Sequence, residues 1–87
     1  MAGTLSRTLY AAAENAVYGA GPALDAARAV LRESDGVDLD YLEITTPDLD
    51  PLPEDPAPGT EARILIAARV GTTRLIDNLP LTIGRID

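Results

Sequence analysis

The sequence predicts an α+β domain, a small antiparallel sheet of three to four strands with two helices packed on one face. Three observations carry that reading. The first third of the chain has apolar residues at helical spacing on both sides of a Gly-Ala-Gly-Pro break. Later come runs rich in β-formers, two of them joined by a Gly-Thr pair that fits a tight reversal. Helices come first and strands after, an order that argues against alternating βαβ units.

Helix one starts at Thr4 or Ser6, either of which can cap a first turn, and runs to Tyr18 with Leu5, Leu9, Ala13, Ala16 and Val17 on one side. Gly19-Ala20-Gly21-Pro22 breaks the pattern, and Pro22 suits the first turn of a second helix, where a missing N–H costs nothing. Leu24, Ala27 and Leu31, with Val30 beside them, form its apolar stripe. Gly36 is placed to close this helix as a C′ glycine.

Strand one covers 37–44. Val37, Leu39 and Tyr41 alternate with Asp38 and Asp40, after which Leu42 and Ile44 take the other face. Residues 45–60 hold five prolines among acids and end near Gly59, so no regular element is expected there. A loop of this length in a small domain is usually functional or disordered. The unbroken run Ile64-Leu65-Ile66-Ala67-Ala68 reads as a central strand covered on both faces, with Leu65 and Ile66 in the core. Gly71-Thr72 reverses the chain into a third strand over 73–77, antiparallel to the second. Asn78 and Pro80 are expected to end it, leaving Leu81, Ile83 and Ile86 for a short segment at an edge. No internal repeat is present.

Eighty-seven residues suffice for one small domain, so 1–87 is a single unit. No apolar run approaches the roughly 20 residues that span a bilayer, and the N-terminus lacks a signal peptide's pattern; the chain is expected to be cytoplasmic, with no membrane partner. There is no Cys and no His, and all seven basic residues are Arg, which removes thiolate nucleophiles, histidine bases and catalytic lysines together. The net charge of −7 is uneven: residues 33–61 hold ten acids and no base, while the remainder carries seven Arg against four acids. Such a chain is repelled by phosphate backbones, so nucleic acid is excluded as a partner.

Three constellations carry no chemistry on inspection. Gly19-Ala20-Gly21 lacks the third glycine of a dinucleotide fingerprint and follows a helix rather than a strand. Asp48, Asp50, Glu54 and Asp55 are interrupted by Pro51 and Pro53 and lack the glycine of a calcium loop, so they read as a solvated loop. Asp40 and Glu43, three apart on a strand, are expected on opposite faces. No catalytic, cofactor-binding or metal-ligating residue is assigned.

One stretch carries more. Arg69-Val70-Gly71-Thr72-Thr73-Arg74-Leu75-Ile76-Asp77-Asn78, entered from the apolar run 64–68, resembles the C-terminal signature of pantothenate synthetases, the pantoate–β-alanine ligases. Val37-Asp38-Leu39-Asp40-Tyr41-Leu42-Glu43-Ile44 is similar to that family's first C-terminal strand, with a proline-rich loop between the two. Leu24-Asp25-Ala26-Ala27-Arg28-Ala29-Val30-Leu31 is similar to the helix before it. The resemblance extends from about Leu5 to Ile83.

It implies a C-terminal lid domain whose N-terminal, Rossmann-type catalytic domain is absent from these residues. Enzymes of this family activate pantoate with ATP as a pantoyl-adenylate, then let the amine of β-alanine displace AMP. ATP and magnesium are implied for the full-length enzyme, at sites in the other domain, and no cofactor for this chain. Neither the histidine motif nor the Ser/Arg hinge segment occurs, and Ser6-Arg7 lies inside helix one. The implied partner is the enzyme's own N-terminal nucleotide-binding domain, met by Arg69, Thr72, Thr73 and Arg74 at the hairpin turn together with Asp77 and Asn78. The plainer expectation for the same residues is that Arg69 pairs with an acidic strand neighbour and Asn78 caps a turn. On the implied reading the isolated domain is inactive; the alternative is a stand-alone dimerisation or binding module. A homodimer is expected, through a sheet edge or the face carrying Arg69 and Arg74.

Overall fold

The computed structural model describes residues 2–53 and 56–84. Helix α1 (Ala2–Asn15) passes through a 3-10 turn at Ala16–Tyr18 into α2 (Ala20–Arg32), and strands β1 (Val37–Thr45), β2 (Thr60–Val70) and β3 (Thr73–Ile83) follow. The strands form one antiparallel sheet in the order β1-β2-β3, and the helices pack on one of its faces. This is the predicted α+β architecture. No helix of the described residues is long and apolar enough to cross a membrane.

The helices contribute Leu5, Thr8, Leu9, Ala12, Ala16, Ala23 and Ala27 to the interior, so the buried stripe of α1 runs through Ala12 rather than Ala13. Small side chains at four of these positions let two backbones approach each other and the sheet. Buried Thr8 is satisfied locally, its hydroxyl donating to the Thr4 carbonyl at 2.7 Å. Gly19, at φ +122°, is the cap from which α2 starts, and Pro22 falls in the first turn as expected. Gly36 is not the C′ residue. The helix ends at Arg32, the Ser34 N–H and Oγ donate to the carbonyls of Leu31 and Val30, and Gly36 serves the turn into β1 at φ +80°.

The central strand is covered on one face only. Ala62, Ile64, Ile66 and Ala68 point at the helices and are buried, whereas Leu65 on the alternate face is half-buried, which corrects its placement in the core. The register then fixes the other strands. Leu42 and Ile44 lie beside Ile66 and Ile64 on the helix side, and Leu81 and Ile83 lie beside Ala62 and Thr60. The phase slip in the first strand's apolar pattern is a β-bulge: Leu39 pairs with Ala68 and Tyr41 with Ala67, leaving Asp40 as the extra residue.

The third strand does not stop at Asp77. It continues through Asn78 and Pro80 to Ile83, because β3 is an edge strand and Pro80 opposite Arg63 turns its donorless nitrogen away from β2. Leu81 and Ile83 thus belong to the same strand, while Ile86 lies outside the described residues. The proline-rich connection has local order: the Thr46 N–H donates to the Asp50 carbonyl at 2.8 Å, Thr45 bridges Pro51, and Leu52 packs on the core. At the far end the Gly84 N–H donates to the Ala16 carbonyl at 2.8 Å. The 3-10 turn that follows α1 is thereby tied to the end of β3.

Candidate functional site

The turn of the β2–β3 hairpin is two residues long, closed by Val70 opposite Thr73. Gly71 has φ +64° and Thr72 keeps a negative φ, the φ signature of a type II′ turn, whose twist matches that of the strands it joins. The turn fixes everything beyond it. Arg69 and Arg74 face each other directly on the sheet side away from the helices, and Asp38 of β1 stands opposite Arg69.

Two like charges in register are unfavourable. The bulge resolves the conflict by pushing out Asp40, whose Oδ2 lies 2.9 Å from Arg74 Nη2. Arg74 therefore reaches over β2 to an acid on β1, and one ion pair ties the outer two strands. Expectation had given the acidic partner to Arg69; the geometry gives it to Arg74 and leaves Arg69 in a shallow recess with Asp38 and Asp40. The bulge also puts Asp40 on the same face as Glu43, against the expectation of opposite faces, with Tyr41 between them.

Farther from the turn the outer face becomes apolar. Tyr41, Ala67 and Ile76 form one row across the three strands. Ala67 is fully buried between its neighbours although it is outside the helix-facing core, and Ile76 is 62% exposed. The next row holds Glu43, half-buried Leu65 and Asn78, whose Oδ1 accepts from Arg63 Nη1. Asn78 sits in mid-strand and does not cap a turn. The outer face thus has an apolar centre with an ion pair on one side and an Arg-Asn bond on the other.

Of the six residues singled out from the sequence, Arg69, Thr72, Thr73 and Arg74 come together at the turn and are exposed. Asp77 and Asn78 do not join them. They lie farther along β3 on opposite faces, Asp77 on the helix side opposite Ile66 and half-buried between Leu75 and Leu79. Sequence reasoning missed Tyr41, Ile76 and Arg63. Reading 63–69 at period two, with Arg63, Leu65, Ala67 and Arg69 on one face, is the signal that would have found the mixed outer surface.

Concavities elsewhere are shallow. A groove of about 450 Å³ lies between the start of α2 and β1, lined by Ala20, Leu24, Leu42, Leu49 and Leu52 among others, with little polar chemistry to orient a ligand. Among the described residues no three acidic side chains converge as a metal site would require. Glu54 and Asp55, raised as cation ligands, lie outside those residues.

Residues 1–80 match the family model described as pantoate-beta-alanine ligase. A pantothenate synthetase of Nocardioides sp. is 71% identical over 80 residues, covering 92% of this chain and 24% of its own length. One from a Mycobacterium sp. is 48% identical over 86 residues, covering 99% of this chain and 26% of its own. The crystal structure of pantothenate synthetase from Thermus thermophilus superposes with a TM-score of 0.73 at 40% identity, covering 87% of this chain and 28% of that one. The chain spans about a quarter of the length of the relatives it matches.

Proposed function

The chain belongs to the pantoate-beta-alanine ligase family, and from that premise we propose that it is the C-terminal lid domain of an ATP-dependent ligase making pantothenate from pantoate and β-alanine. The observation that carries the reading is the match over residues 1–80 by a chain about a quarter as long as its relatives, folded around its own core. In the reaction proposed for the whole enzyme, a pantoate carboxylate oxygen attacks the α-phosphorus of ATP and pyrophosphate leaves. The amine of β-alanine then attacks the acyl carbon, AMP departs with the C–O bond electrons, and the nitrogen gives up a proton.

This chain's part in that sequence is to shelter rather than to react. An acyl-adenylate is consumed by water unless the site is closed, and a small rigid domain swung over it excludes solvent. Three of the usual bases and nucleophiles, His, Lys and Cys, are absent from all 87 residues. ATP and magnesium are proposed to bind the remainder of the enzyme, as the family's reaction implies. Arg69, Thr72, Thr73 and Arg74 are the residues proposed to meet that partner domain. Their exposure supports this.

The test is direct. Purified protein incubated with ATP, pantoate, β-alanine and magnesium should release no AMP above a protein-free blank. AMP formation that follows this protein through successive chromatographic steps would overturn the reading.

A further inference from the structure

The strand order leaves one free side on β1 and one on β3. A free strand side presents backbone N–H and C=O groups that another chain can pair with. On β3, Val70 and Thr73 close a two-residue turn as a hydrogen-bonded pair, so alternation sends the N–H groups of Arg74, Ile76, Asn78 and Thr82 to the free side. Residue 80 has the same parity and, being proline, no N–H to offer. The Asn78 N–H is already used: it donates to Asp77 Oδ1 at 2.8 Å. Two consecutive outward positions in the middle of the strand therefore have no donor for an incoming chain.

The free side of β1 is obstructed by other means. The bulge at Asp40 breaks its ladder geometry, and the chain folds back so that Pro51 bridges Thr45 at the strand's end. We infer that both sheet edges are built to refuse strand addition, and that the Asp77-Asn78-Leu79-Pro80 segment is the guard of β3, with Asp77 withdrawing the Asn78 N–H. This gives Asp77, a carboxylate in an otherwise apolar row, a duty that needs neither ligand nor partner. It also directs any two-fold contact of this domain away from the sheet edges and onto its faces, where Tyr41 and Ile76 are among the exposed apolar side chains. The inference stands independently of the lid reading.

Amide hydrogen exchange followed by NMR on the 87-residue protein tests it. After correction for intrinsic rates, the Asn78 amide should exchange about tenfold more slowly than the outward amides of Ile76 and Thr82, the effect of one retained hydrogen bond. In Asp77→Ala that difference should vanish while Leu75 and Leu79 keep their protection. Asp77→Ala combined with Pro80→Val should restore both donors and produce dimers or larger assemblies by sedimentation in the micromolar-to-millimolar range. Equal exchange at 76, 78 and 82 in the native protein overturns the role of Asp77. A double variant with the native far-UV spectrum and the native protein's mass at every concentration overturns the guard, and where that variant fails to fold the exchange measurement on the native protein decides alone.

Discussion

Arg74 on β3 reaches across the whole width of the sheet to Asp40 on β1, Nη2 to Oδ2 at 2.9 Å. The contact exists because a bulge displaces Asp40 and because Arg69 occupies the position between the two strands. Both side chains are about half exposed, at 48% and 46%, so solvent screens most of the attraction. A double-mutant cycle with Arg74→Ala and Asp40→Ala should give a coupling of roughly 0.2–1 kcal/mol in denaturant unfolding, shrinking as salt is raised. A coupling of several kcal/mol, unchanged by salt, would mean that the pair is far less hydrated than its exposure indicates.

Gly84 and Gly71 both have positive φ but should respond differently to a methyl group. At Gly71 an added Cβ meets nothing within 4 Å, so Gly71→Ala costs only the backbone strain of the turn, about 1 kcal/mol. At Gly84 the same Cβ would lie 2.8 Å from the Pro58 Cα, and the Gly84 N–H holds the Ala16 carbonyl. Gly84→Ala should therefore lower the melting temperature more than Gly71→Ala does. The reverse order would show that the 58–59 segment yields easily.

Ile66 and Leu65 are adjacent in sequence and unequal in the fold. Ile66 is fully buried against the helices, and Ile66→Ala should cost about 2–5 kcal/mol, a large share of what a small domain has. Leu65 is half-buried on the outer face, and Leu65→Ala should cost about 1 kcal/mol. Equal losses in urea unfolding would indicate that the outer face is covered in solution, for instance by a second copy.

Ile76 is the most exposed apolar side chain of the outer row. Ile76→Lys should change stability by no more than about 0.5 kcal/mol, as for other surface positions. The same change should weaken any association that light scattering detects in the native protein at high concentration. Undiminished association in Ile76→Lys would place the contact elsewhere than the outer face.

The helices, the hairpin and their order were legible in the sequence because each is set by neighbours: apolar spacing on either side of Gly19-Ala20-Gly21-Pro22, and Gly71 where a two-residue turn needs positive φ. Even the bulge left a trace, since Val37, Leu39 and Tyr41 go out of phase with Leu42 and Ile44. The family was legible for a different reason, the wording of 69–78 rather than any physical pattern in it.

What the sequence could not decide is how the faces were shared out. A run such as Ile64-Leu65-Ile66-Ala67-Ala68 is equally apolar on both sides, and only the placement of both helices on one face made Ile66 core and left Leu65 half-exposed. Pro80 looked like a terminator because a proline ends a central strand; it is tolerated because β3 has no neighbour on that side, a property of strand order and not of local composition. Arg69 and Arg74 were visible as a pair beside a turn, but which of them took Asp40 depended on one extra residue in a strand some thirty positions earlier. Local propensity and turn chemistry act over a few residues and so can be read in line. Edge, face and ion-pair partner are relations between distant segments, and they exist only once the sheet has closed.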